Sequence, residues 1–382
     1  MKKLLLSTAA VCGLAVAATA PASASELELG ISGFFAGYGV FNNQDEATGQ
    51  SLRSFDLRKE TEIHFTGETT LDNGLTVGVV VETNMDRADD TTNTVEESYA
   101  YLSGGWGRLN IGEEESAAYL LQVAAPAADE NIDGIQPEIS SFNTQLLIGA
   151  NRADAVGTGL VGAAASLGYD QTATGYSNKL TYFTPVFNGF QAGVSYTPAV
   201  SEADQNQLAA ITANNNANDY DDALEAAVRY EGTFEELDIA LGAGFTNMDR
   251  EISNVNLDDR TLWNIAGDFD WGPFGLGVAY MEDDNGVQNN GDSQIFVVGL
   301  DYHTGPYRFG ASYFNREDEI NAGTHTSGSD IETTRWTGGV TYEYGPGMSF
   351  RGSIAFVEAE SGVAGSDERD GYQVSVGTQI NF

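Results

Sequence analysis

Residues able to perform nucleophilic or acid–base catalysis are scarce in this chain of 382 residues. It contains three histidines, His64, His303 and His325, and a single cysteine, Cys12. No nucleophile motif such as G-x-S-x-G stands between a strand and a helix, where a serine hydrolase would need it. A solitary histidine on a strand is more often a polar wall residue than a catalytic base. We therefore predict that the chain is not an enzyme and keep a hydrolase only as an alternative.

Carboxylates are the abundant reactive groups. The chain has 56 Asp and Glu against 17 Lys and Arg, a formal net charge of −39. Nucleic acid is excluded as a partner because phosphates require a basic surface. The segments "DRADD", "MEDDNG" and "REDE" could bind Ca²⁺ through oxygen ligands, although none has EF-hand spacing and solvated loops would look the same. No other cofactor and no defined metal site are predicted.

The first 24 residues have the features of a secretory signal peptide. Lys2 and Lys3 precede an apolar stretch, and "ASA" at residues 22–24 resembles a cleavage site. The mature chain, residues 25–382, would then contain no cysteine and no disulfide. We expect the protein to be exported to the periplasm.

Strict alternation of apolar and polar residues is typical of a strand with one apolar face and one face in contact with water. It is clearest in the terminal "YQVSVGTQINF" and recurs along the chain. Sixteen strands are predicted, at about 27–40, 53–68, 74–86, 95–104, 107–113, 178–184, 189–198, 223–231, 236–246, 261–271, 274–282, 294–303, 306–315, 333–344, 347–359 and 371–382. After the first strand their connections alternate between long and short, which favours hairpins of one barrel over separate domains.

The apolar faces decide between a soluble protein and a membrane protein. The opposite faces carry charges of both signs and many glycines, as a water-filled interior would. Aromatic residues cluster beside the short turns, as in an interfacial girdle. They are Phe187, Phe190, Phe234, Trp271, Phe274, Tyr302, Tyr307 and Tyr344. We predict an all-β, closed antiparallel transmembrane β-barrel of 16 strands, and keep a soluble secreted adhesin or lectin as an alternative.

Several segments, in order, resemble one known family. They are "LGISGFFAGYGVF", "EIHFTGETTLDNGLTVGVVVE", "AYLSGGWGRLNIGEEE" and "SNKLTYFTPVFNGFQAGVSY". They are similar to the general diffusion porins of Gram-negative outer membranes, most of all the alphaproteobacterial type. The resemblance implies a homotrimer in the bacterial outer membrane, in contact with lipid and lipopolysaccharide. It also implies that Phe382 is the aromatic signal read by the barrel assembly machinery.

The resemblance further implies that a long third loop, about residues 114–177, folds into the barrel and narrows it. Its acidic residues Asp129, Glu130, Asp133 and Glu138 would form the pore constriction. Strand phase directs basic residues inward at Arg58, Arg108, Lys179, Arg229, Arg308 and Arg351. The same test directs acidic residues inward, among them Glu60, Glu62, Glu82 and Asp268.

With Asp56, Glu97, Asp238, Asp270, Asp301 and Glu343 added, ten inward acids outnumber seven inward bases, the six above and Arg335. The resemblance and the charges together predict passive diffusion of small hydrophilic solutes and ions with a mild cation preference. A substrate-specific channel, for instance for sugars, remains an alternative. Such a channel would line its path with aromatic residues, and Tyr99, Tyr101 and Phe183 have the inward phase.

Overall fold

The computed structural model describes residues 26–46, 51–85, 95–144, 167–200, 219–252, 257–287, 291–319, 330–361 and 368–382. The predicted signal peptide, the segment "DRADD" and His325 lie outside the described residues. Sixteen strands form one closed sheet in which each strand pairs antiparallel with its neighbours in the chain. They are β1 (Glu28–Gln44), β2 (Phe55–Thr70), β3 (Thr76–Asn84), β4 (Val95–Gly104), β5 (Gly107–Glu113), β6 (Asn178–Phe183), β7 (Phe190–Ala199), β8 (Tyr220–Phe234), β9 (Leu237–Arg250), β10 (Arg260–Trp271), β11 (Phe274–Asp283), β12 (Ser293–Thr304), β13 (Tyr307–Glu319), β14 (Asp330–Gly345), β15 (Met348–Ser361) and β16 (Arg369–Asn381).

The predicted fold class and all sixteen strands are confirmed. The main differences lie at the ends that lead into the long loops. For example, β13 continues through "NREDE" to Glu319, four residues beyond the predicted limit of 315. The ladder of backbone hydrogen bonds continues there although the side chains no longer alternate. A pattern of side-chain hydrophobicity marks only the part of a strand that meets lipid.

The last residue completes the barrel. β1 and β16 pair from Phe34 with Asn381 to Gln44 with Gly371. Beyond this ladder, the backbone N–H of Phe382 donates to the carbonyl of Gly33, and the N–H of Gly33 donates to the carbonyl of Phe382, both at 3.0 Å. The seam therefore extends along β1 from Gly33 to Gln44 and joins the two ends of the sheet, as a barrel in hydrocarbon requires.

The apolar faces point outward. Leu29, Leu57 and Val376 are 80%, 74% and 65% exposed, and all eight predicted girdle aromatics are exposed at the end with the short turns. Lys59 also has the outward phase, because β1 and β2 pair without a register shift through Lys59 opposite Gly37. The exposed belt of leucine, valine and aromatic side chains is the surface that lipid would cover.

Two short helices, α1 (Ala117–Leu120) and α2 (Glu130–Asp133), lie between β5 and β6. Ser116 caps α1 by accepting a hydrogen bond from the N–H of Tyr119, and Asp129 caps α2 by accepting one from the N–H of Asn131. No helix among the described residues is long and apolar enough to cross a membrane.

Adjacent positions on β2 should report opposite environments. Phe65 is 45% exposed on the outer face, whereas Thr66 has the inward phase. We expect a nitroxide at Phe65→Cys to collide with lipid-soluble oxygen and one at Thr66→Cys to collide with a water-soluble nickel chelate. Power-saturation electron paramagnetic resonance in liposomes measures both. Shielding of the Phe65 label from oxygen would contradict the outward orientation of the apolar face.

Candidate pore constriction

The segment between β5 and β6, residues 114–177, is here called the inner loop, and its described parts lie inside the barrel. In the described parts, 114–144 and 167–177, the loop contacts distant strands. The N–H of Ala117 donates to Ser195 on β7, Tyr38 on β1 donates to Asp129, and the N–H of Ser141 donates to Gln373 on β16. On its return, Gln171 donates to Thr246 on β9. The inner loop therefore follows the wall from β7 through β16 to β1.

Inward-facing glycines let this loop approach the wall closely. The set, here called the glycine track, comprises Gly242 on β9, Gly277 on β11, Gly299 on β12 and Gly310 on β13. A Cβ at Gly299 would lie 1.8 Å from the carbonyl oxygen of Pro126, and one at Gly310 would lie 2.6 Å from that of Ala127. The loop backbone occupies the space that side chains would take.

The loop also brings apolar side chains into the interior. Val123, Ile132, Ile139 and Tyr169 belong to one buried cluster with inward residues of the wall. Those wall residues include Ala266, Ala279, Ile295, Val297, Phe314, Ile331, Ala355 and Val357. The interior therefore differs from the expectation drawn from its polar strand faces, because one side of it is a buried apolar core. Apolar residues at inward positions of β10–β15 are visible in the sequence, but the sequence does not show that the inner loop packs against them.

Two loop carboxylates form ion pairs with wall arginines. Asp129 Oδ1 lies 2.9 Å from Arg351 Nη1, with side-chain exposures of 1% and 8%. Glu130 Oε1 lies 2.9 Å from Arg308 Nη1. Burial opposes ionisation of Glu130, but the charges of Arg308 and Arg351 outweigh it and lower the pKa of Glu130. Each pair joins a loop acid that sequence analysis placed in the constriction to an arginine that it placed on the inward face of the wall.

Asp133 is held mainly by uncharged donors. It is 1% exposed and accepts hydrogen bonds from the N–H groups of Ala128 and Asp129 at 3.0 and 2.8 Å and from the hydroxyl of Ser312. The guanidinium of Arg335, also 1% exposed, donates to the carbonyls of Ile132 and Leu167 at 3.3 and 3.0 Å. These contacts attach α2 and the returning segment of the loop to the same wall.

Three of the other predicted basic residues also hold the loop through its carbonyl groups. Arg58 donates to Ser140 at 2.7 Å, and Arg229 donates to Gln122 at 3.1 Å while pairing with Glu231 at 2.6 Å. Lys179 is buried and donates to the carbonyls of Gly175 and Ser177, both at 2.8 Å.

Arg108 has a different place. It lies beside the short turn after β4, where it bonds to Asn110 at 2.7 Å and stands 3.9 Å above the ring of Tyr101. Tyr101 in turn donates to Glu68. This cluster is at the rim of the barrel rather than at the loop.

The three aromatic residues considered for a substrate path, Tyr99, Tyr101 and Phe183, do not line one open passage. Phe183 is packed in a buried cluster with Ala117 and Leu121.

The wall of β2–β4 carries the remaining predicted acids. Glu60 and Glu62 are partly exposed on β2, and Glu82 is 9% exposed on β3. A register shift follows the pair of Glu82 and Glu97, since the next pair joins Thr83 and Val95. This bulge inserts Glu96 beside Glu97, and sequence analysis missed it because a bulge breaks the alternation. Here this set, Glu60, Glu62, Glu82, Glu96 and Glu97, is called the acidic wall.

Carboxylates of the inner loop lie near the acidic wall. Desolvation and the charges of Glu96 and Asp170 raise the pKa of Glu138. Burial, with the charge of Glu97 adding to it, raises the pKa of Glu115 well above its usual range. Burial also raises the pKa of Asp170.

The fourth predicted wall acid, Asp268, lies elsewhere. It is on β10, and a Cβ at Gly277 would lie 3.1 Å from its Oδ1. The structure therefore does not bring Asp268 together with the other three predicted acids, which lie on β2 and β3.

A closed barrel with an apolar outer face, whose interior is narrowed by a loop fastened to one wall, defines a channel of the porin class. The sequence matches the Gram-negative porin family over residues 7–362. The chain belongs to that family, and the resemblance noted in its sequence is confirmed. Its place is the bacterial outer membrane.

Solved porin structures share this fold at low sequence identity, and one further protein is similar in sequence. The anion-selective porin of Comamonas acidovorans is 18% identical, with a TM-score of 0.61 over 94% of this chain and 100% of that chain. A mutant porin of Rh. blastica is 16% identical, with a TM-score of 0.56 over 93% and 100%. An uncharacterised protein of Rickettsia conorii is 22% identical over 73% of this chain and 76% of its own length.

Filling the glycine track should loosen the inner loop. Gly299→Ala places a Cβ against the backbone of Pro126, and we expect it to destabilise the folded protein by about 1–3 kcal/mol. Gly338→Ala is the matched control on β14, because nothing lies within 4 Å of its Cβ position. It should be neutral or stabilise by at most about 1 kcal/mol. Guanidinium unfolding in detergent compares the two, and equal midpoints would contradict the close approach.

Proposed function

We propose that the protein is a general diffusion porin that passes small hydrophilic solutes and ions with a mild preference for cations. One observation carries the preference. The acids Asp129 and Glu130 are matched by Arg351 and Arg308, and their charges cancel pairwise. The acidic wall has five carboxylates, and the predicted bases on β2–β5 are Arg58 and Arg108. A water-filled passage beside this wall would concentrate cations.

The porin of Comamonas acidovorans, which is similar in fold, is anion-selective. At 18% identity the likeness extends to the fold and not to the charges that set selectivity. The preference proposed for this chain is therefore argued from its own side chains. It is opposite in sign to the selectivity named for that relative.

The remaining partners are also proposals. We infer a homotrimer, in line with the trimer form named for a Vibrio cholerae outer membrane protein that is 14% identical, with a TM-score of 0.55 over 92% of this chain and 100% of that one. Residues 1–24 would direct export, and Phe382 would be read by the barrel assembly machinery. Acidic loop segments such as "MEDDNG" and "REDE" would bind Ca²⁺ or bridge divalent ions to lipopolysaccharide.

Ion selectivity tests the proposal directly. In a KCl gradient across a planar bilayer, the zero-current potential should have the cation-selective sign. Glu96→Gln should shift it toward zero by removing one carboxylate of the acidic wall. Glu317→Gln is the charge-matched control, since Glu317 has the outward phase on β13 near the long loops. A wild-type potential of the anion-selective sign would refute the cation preference.

The preference should weaken on acidification. The pKa values of Glu115, Glu138 and Asp170 are raised, so these groups lose their charge as the pH falls, before ordinary carboxyls with pKa values of about 4 do. We expect the potassium-to-chloride permeability ratio to decline between about pH 8 and about pH 5. The same bilayer measurement at stepped pH checks this. A ratio that stays constant until about pH 4 would contradict it.

A further inference from the structure

One cluster on the channel wall has a composition that passive diffusion does not require. His64 on β2 is paired across the sheet with Glu82 on β3, and Glu62 lies two residues from His64 on the same face. Nε2 of His64 lies 3.5 Å from Oε1 of Glu62 and 3.5 Å from Oε2 of Glu82. Each residue offers one possible ligand atom, and these three atoms all lie within 4.8 Å of one another.

These separations are too long for direct hydrogen bonds but suit a bridging ion. An N–H···O bond has its atoms about 2.7–3.2 Å apart. A tetrahedral Zn²⁺ with bonds of about 2.0–2.2 Å holds its ligand atoms about 3.4 Å apart. Nε2 of His64 is buried and makes no hydrogen bond with the described residues. The imidazole nitrogen is thus directed between two carboxylates without completing a bond to either.

We propose that Glu62, His64 and Glu82 bind a divalent transition-metal ion of the Zn²⁺ type on the channel wall. The donor set, one imidazole nitrogen and two carboxylate oxygens, suits Zn²⁺ better than Ca²⁺, which takes six to eight oxygen ligands. The three ligands stand on two hydrogen-bonded strands, so their backbone positions are fixed before the ion arrives.

The surroundings favour a cation that enters from the channel. The side chains of His64, Glu62 and Glu82 are 17%, 14% and 12% exposed, which leaves a coordination position open to lumenal water. Glu97 lies directly across from Glu82 on β4, and Glu60 precedes Glu62 on the same face. Their negative charges add to the attraction. The bound ion would place positive charge on the acidic wall and reduce the cation current.

Metal binding can be measured without a channel assay. Zn²⁺ is titrated into the folded protein in detergent micelles against a chromophoric zinc chelator. We expect one site per chain in the wild type and a dissociation constant at least about tenfold higher in His64→Gln and in Glu82→Gln. His303→Gln is the matched control, because His303 lies 3.1 Å from Asp301 in a comparable histidine–carboxylate pair. It should bind as the wild type does.

The second readout uses the wild type alone, so it does not depend on whether a variant folds. X-ray absorption of the zinc-loaded protein should show a first shell of nitrogen and oxygen with the outer scattering of one imidazole. Absence of zinc binding by the wild type, or equal binding by His64→Gln, would overturn the proposal. So would an absorption spectrum without imidazole.

The proposed cation preference and the proposed zinc site can be refuted independently of each other. In planar bilayers Zn²⁺ should lower the potassium current through the wild type and through His303→Gln but not through His64→Gln, whereas Ca²⁺ at the same concentration should have a smaller effect. Zinc binding in micelles with an anion-selective current would refute the cation preference and leave the site intact. A cation-selective current that Zn²⁺ leaves unchanged, with no binding in micelles, would refute the site alone.

Discussion

Every backbone hydrogen-bonding group of a strand in hydrocarbon must find its partner within the protein, because no water is there to replace it. In this chain the requirement is met by closure, and closure depends on the seam between β1 and β16. The reciprocal bonds of Gly33 and Phe382 extend that seam to the last residue. The terminal alternation therefore has a structural reason that is independent of any recognition by assembly factors. A shorter final strand would leave Gly33 and the residues after it on β1 without these partners.

Closing sixteen strands creates a wide interior, and the inner loop determines how much of it stays open. Three kinds of contact hold the loop, and each contributes differently. The glycine track permits close approach, the apolar cluster around Ile132 and Tyr169 supplies burial, and the ion pairs of Asp129 and Glu130 determine position. Desolvation offsets much of the attraction in a buried pair, so Asp129 and Arg351 specify where the loop lies more than they stabilise it.

The barrel was predictable because its signal is local. A residue and its second neighbour share a face, so sixteen strands and their orientation follow from alternation over about ten residues at a time. The partners of the inner loop were not predictable, since Asp129 and Arg351 are 222 positions apart and Glu130 and Arg308 are 178 apart. Strand phase assigned Lys179 to the inward face, but it could not distinguish this lysine, bound to carbonyls, from a charge that faces water. The zinc candidate shows the same limit, because His64 looked solitary until β3 placed Glu82 opposite to it.

The position of the loop also decides where selectivity can arise. Two opposite charges 2.9 Å apart nearly cancel each other's field at larger distances, so the paired Asp129 contributes little to the attraction of a passing ion. Under the proposed cation preference, the loop acids would act mainly by holding the loop in place, and the field felt by a permeating ion would come from the acidic wall. There the bulge at Glu82 adds Glu96 to a wall that already carries Glu97. One inserted residue in β4 thus increases the negative charge density at the narrowed part of the channel without disturbing the hydrogen-bonded closure on which the barrel depends.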